Sequence, residues 1–127
     1  LPGPLVCSKY PETYPWSQGA RLVYKETGGR WQKGGMGLVL EHLVPRTILI
    51  AELVTRAESL APAELLATLQ DGLAAAVITK ADNRILEKAG FARSLPAGVD
   101  HHKDPWCRYQ AAGFDLTTFA PIGEPDR

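Results

Sequence analysis

Ten prolines and twelve glycines punctuate this 127-residue chain, and they limit what it can fold into more than any other feature. Proline fixes φ and carries no N–H, so it opens helices and avoids central strands; glycine ends helices and weakens strands. The segments between these breakers are short, and the fold must be assembled from short elements. At this length one domain is expected, burying roughly two thirds of the unfolded chain's surface. Such a core needs no metal or disulfide to hold it.

Residues 1–19 hold Pro2, Pro4, Pro11 and Pro15 among Tyr10, Tyr14 and Trp16. This predicts an extended arm whose rings pack onto a body formed by residues 20–127. In 20–26, Leu22 and Tyr24 alternate with Val23 and Lys25, and Gly28-Gly29 then precede Trp31. The alternation predicts a strand, a turn and a returning strand: a hairpin whose second arm is interrupted at Gly34, Gly35 and Gly37 and resumes over 36–41.

Pro45 opens a helix over about 46–58, where Ile48, Leu49, Leu53 and Val54 recur at helical spacing. Pro62 opens a second helix that Gly72 closes. The apolar run 73–79 is predicted as a buried central strand. Thr79 and Asp82 form a capping box for a helix with Ile85 and Leu86 inward and Gly90 at its end. Asp104-Pro105 repeats the pattern, Asp104 as cap and Gly113 as stop, before a C-terminal strand. The expected class is α+β: a small, largely antiparallel sheet made of the N-terminal hairpin, strand 73–79 and a C-terminal strand, packed against about four short helices.

Fourteen basic and fourteen acidic residues cancel. Balance of this kind argues against general nucleic-acid binding, which shows a basic excess. No apolar run is long enough to span a membrane, and LPGPLVCSKY lacks the charged and apolar regions of a signal peptide. With only Cys7 and Cys107, free thiols in a reducing, cytoplasmic setting are expected.

The most chemical cluster is Glu41-His42-Leu43-Val44-Pro45. It resembles the first box of HNH-type nucleases, in which an acidic residue and a His end a hairpin shortly before a Pro; here Glu stands where Asp is usual. The resemblance implies Glu41 as a metal ligand, His42 as general base, Asn83 as the orienting amide, and His101 or His102 as second ligand. In Asp100-His101-His102-Lys103-Asp104, an extended chain would point adjacent imidazoles apart, so one would ligate with a remote partner. The stretch 83–91 resembles the late helix of GNAT acetyltransferases, but no earlier loop offers amides to a pyrophosphate, and that reading is set aside. Gly28-Gly29 and Gly34-Gly35-x-Gly37 precede strand-like residues with no Lys-Ser/Thr, which excludes a P-loop.

Trp106, Arg108 and Tyr109 are residue types favoured at interfaces, and with Trp31 they predict an aromatic-lined pocket or a dimer seam. The expected function is a small binding or accessory module without cofactor, acting on an unidentified small molecule, a protein or a second copy of itself. The alternative is a metal-dependent nuclease of irregular HNH type.

Overall fold

The computed structural model describes residues 10–29, 37–72 and 74–123. Cys7, Trp31 and the returning arm expected before Gly37 lie outside them. The order is α1 (Gln18–Thr27), β1 (Leu38–His42), α2 (Arg46–Arg56), α3 (Pro62–Gly72), β2 (Ala75–Thr79), α4 (Lys80–Lys88) and α5 (Cys107–Ala111), with 3-10 turns at Ala57–Ser59 and Leu116–Thr118. The α+β class holds: a small antiparallel sheet is surrounded by short helices.

β2 is central. On one edge it pairs antiparallel with β1, Val39 opposite Ile78 and Glu41 opposite Ala76. On the other edge, Val77 N–H donates to the Pro15 carbonyl and Ser17 N–H donates to the Val77 carbonyl. Trp16 in turn exchanges backbone bonds with Ala120, and among the described residues the expected C-terminal strand is reduced to that single bridge. Ala75 to Ile78 are all buried, as a strand flanked on both edges and covered on both faces requires.

The two faces carry separate cores. Ala76 and Ile78 meet Leu43, Leu86 and Tyr109, with Trp106, Phe114 and Phe119 packed around them. Val77 meets Trp16, Ala20 and Leu38, with Tyr10, Tyr14 and Tyr24 alongside. Rings in both cores pack edge to face, among them Trp16 on Tyr24 with centroids 5.5 Å apart.

Residues 20–26, expected as the first arm of a hairpin, form helix α1 instead. Ala20, Val23, Tyr24 and Thr27 recur at helical spacing and are the more buried positions, while Leu22 is exposed. Ser17 caps the start, its hydroxyl accepting from Ala20 N–H at 3.1 Å. The Gly-Gly pair is a helix stop: Gly28 takes φ +67°, and its N–H returns to the Tyr24 carbonyl.

At α4 the boundary follows its local signal, whereas α5 starts at Cys107, two residues after the Pro105 expected to open it. The capping box at α4 is complete, Thr79 Oγ1 accepting from Asp82 N–H and Asp82 Oδ2 accepting from Thr79 N–H, both at 3.0 Å. Ser17 Oγ also donates to Asp82 at 2.7 Å, joining the starts of α1 and α4. Ile85, expected inward, is exposed, and Leu86 alone fills the core from this helix. At α5, Asp104 supplies its backbone carbonyl to Cys107 N–H and no side chain caps the helix.

Candidate functional site

The phase of the β1–β2 ladder fixes what β1 presents. Lys80 N–H bonds the Gly37 carbonyl and Leu43 N–H bonds the Ala74 carbonyl. Odd-numbered residues of β1 therefore turn their backbone groups to β2, and Leu38, Leu40 and His42 turn theirs to the other edge, where the Leu38 carbonyl accepts from the Tyr10 hydroxyl. Side chains alternate in the other sense: Val39 and Glu41 face the core around Tyr109, while Leu38 and Leu40 face the core around Trp16.

Glu41 therefore points at α5, where Arg108 and Tyr109 wait for it. Arg108 Nη2 donates to Glu41 Oε1 at 2.8 Å and to Oε2 at 3.0 Å, and the Tyr109 hydroxyl donates to Oε1 at 2.5 Å. Arg108 spends its other N–H groups on backbone: Nε on the Leu43 carbonyl, Nη1 on that of Phe91 and Nη2 on that of His42. Both residues are wholly enclosed. Burial first, then the Glu41 charge and the hydrogen bond to it, keep the Tyr109 hydroxyl protonated far above the usual phenol range.

Arg108 and Tyr109, expected on a binding surface, thus lie inside and offer none. Trp106 packs edge to face on Tyr109 and Phe119, at 5.3 and 5.1 Å. The aromatic residues of this region build core. In the sequence they read equally as interface residues, because the signal is composition alone and composition does not tell inside from outside.

An open cleft of about 350 Å³ lies beside β1, lined by residues 39–42, Pro45, Arg46, Thr47, Asn83, Ala92 and Arg93. Glu41, His42 and Asn83 are all among its lining residues. Glu41, however, has both oxygens engaged by Arg108 and Tyr109. His42 Nδ1 is buried with no hydrogen-bond partner among the described residues. Arg46 and Arg93 are exposed at the cleft. Sequence reasoning missed both arginines, since nothing local ties residue 93 to the start of α2.

His101 and His102 lie elsewhere, against Glu52 of α2. The segment expected to be extended is a tight turn, with Asp100's carbonyl accepting from Lys103 and Asp104 N–H and its Oδ1 from His102 N–H. The turn brings the two imidazoles together, centroids 4.1 Å apart, and both Nε2 atoms reach the same carboxylate. Among the described residues, the ligand atoms of Glu52, His101 and His102 all lie within 4.8 Å of one another. Glu52 takes the place expected for Glu41 as carboxylate partner of the histidines.

In comparisons with known proteins, no family model, no curated protein and no solved structure matches the chain.

Proposed function

We propose that the chain is a small binding module whose ligand is a phosphate-bearing small molecule seated in the cleft beside β1. The observation that carries this reading is the meeting of Arg46 and Arg93 with the open start of α2. Pro45 has no N–H, and no side chain caps the helix. The carbonyl of Pro45 accepts from Ile48 and Leu49 N–H, which leaves the Arg46 and Thr47 amides without an acceptor among the described residues.

Two exposed guanidiniums, free amides and the positive end of a helix dipole favour an anion, and phosphate oxygens suit that donor set. The Glu41 carboxylate at the cleft's inner side is offset by Arg108. The volume falls at the small end of the range for small-molecule sites. The test is titration of the chain with inorganic pyrophosphate at low salt, followed by amide chemical shifts and thermal midpoint. Shifts centred on 45–47 and 93, a raised midpoint, and loss of both in Arg46→Gln/Arg93→Gln support the reading. An unchanged response in that variant removes it.

A second reading rests on Glu41, His42 and Asn83 lining the same cleft. In an HNH-like nuclease His42 would draw the proton from an attacking water, and the arginines would hold the phosphodiester. Arg108 competes with any metal for Glu41, which is why binding comes first here. Plasmid nicking in Mn²⁺ that disappears in His42→Gln, with the fold retained, would reverse the order, since losing a general base costs roughly 10²–10⁴ in rate.

A further inference from the structure

We propose that Glu52, His101 and His102 form a binding site for a divalent transition-metal ion, with Zn²⁺ the probe that tests it. The site is separate from the cleft and does not depend on that reading. Glu52 stands on α2 with its carboxylate facing the turn after Asp100. Its Oε1 lies 2.8 Å from His101 Nε2 and its Oε2 lies 3.1 Å from His102 Nε2.

The second contact is a hydrogen bond. The first is not: among the described residues, His101 Nε2 and Glu52 Oε1 are both buried and both without a hydrogen-bond partner, despite their closeness. The His101 side chain is 9% exposed, so bulk water does not satisfy its nitrogen. A buried polar atom left unsatisfied costs about 1–3 kcal/mol. One cation placed between the nitrogen and the oxygen satisfies both at once.

The chemistry of the donors selects the ion. Two imidazoles and a carboxylate suit Zn²⁺, Co²⁺, Ni²⁺ or Fe²⁺, whereas Mg²⁺ and Ca²⁺ require oxygen ligands. Ligand bonds of about 2.0–2.1 Å at tetrahedral angles put neighbouring ligand atoms about 3.3 Å apart. The Glu52–histidine separations, 2.8 and 3.1 Å, lie just inside that value, and the Asp100 turn already holds the two rings side by side. Three protein ligands leave a coordination position vacant. The His102 side chain is half-exposed and that of Glu52 part-exposed, so solvent reaches the site.

The test uses the tag-free chain, dialysed against a chelator and titrated with Zn²⁺ in competition with a chromophoric chelator. One ion per chain is expected, with a raised thermal midpoint and no response to Mg²⁺. His102→Gln changes an exposed side chain and leaves the fold intact, yet should weaken Zn²⁺ binding by about 100-fold or more, a larger loss than second-shell changes give. His101→Gln should do the same. Absence of saturable Zn²⁺ binding by the parent chain overturns the proposal, and so does unchanged affinity in His102→Gln.

Discussion

Arg108→Leu tests what holds the last helix to the sheet. The side chain is enclosed, and its loss orphans four acceptors at once: the carbonyls of His42, Leu43 and Phe91, and the Glu41 carboxylate, which keeps only the Tyr109 hydroxyl. Removing one partner of a buried ion pair costs about 3–5 kcal/mol, because the other charge stays behind uncompensated. Each buried carbonyl left without a donor would add about 1–3 kcal/mol if no water reached it. Glu41 is 14% exposed, so water relieves part of this, and about 4 kcal/mol is the expected total. Urea unfolding followed by circular dichroism measures it. With a slope of about 1.5 kcal/mol per molar, the midpoint should fall by about 2–3 M. The double variant Glu41→Leu/Arg108→Leu removes both charges together and should be the more stable of the two, with a coupling energy of about 2 kcal/mol. A midpoint for Arg108→Leu close to that of the parent, or a coupling energy near zero, would refute the argument that this arginine is structural.

Two further outcomes follow from burial. Val77→Asp places a carboxylate where Trp16, Ala20 and Leu38 pack around a side chain with no exposed surface, and should cost at least about 3 kcal/mol in the same urea assay. Cys107 is a free, buried thiol whose pKa is pushed up, first by burial and then by the Asp104 charge. Folding therefore favours its protonated form: the effect is absent below the ordinary thiol pKa of about 8.5, and stability falls as pH rises above it. Alkylation by iodoacetamide at pH 8.5 should be far slower in the folded chain than in urea, and equal rates would show the thiol to be open to solvent.

The short-range rules written in the sequence were enough for several elements. Pro62 and Gly72 bound α3, and Thr79 with Asp82 starts α4, because a cap is made by residues three apart whatever surrounds them. Of the apolar run 73–79, Ala75–Thr79 form the central strand, since a stretch without charge has to be covered on both faces; Ala74 is exposed outside it and Leu73 lies outside the described residues. Residues 20–26 mark the limit of such reading. Over seven residues an alternating pattern and a helical one overlap, and the choice fell to Trp16 and Val77, whose packing rewards the face bearing Ala20, Val23 and Tyr24. The candidate sites lay further still from local rules. Glu41 was visible as a chemical residue, but its partner Arg108 stands 67 positions away, and that pairing engages both carboxylate oxygens. His101 and His102 were visible as donors. Glu52, 50 positions before His102, was not, because the spacing that assembles a site across α2 and a distant turn is set by packing and leaves no periodic trace in the chain. Sequence alone determined the boundaries that a local cap or stop makes, as at α3 and α4; the tertiary structure decided which charged groups meet, because contacts between remote residues are fixed only once the core between them is packed.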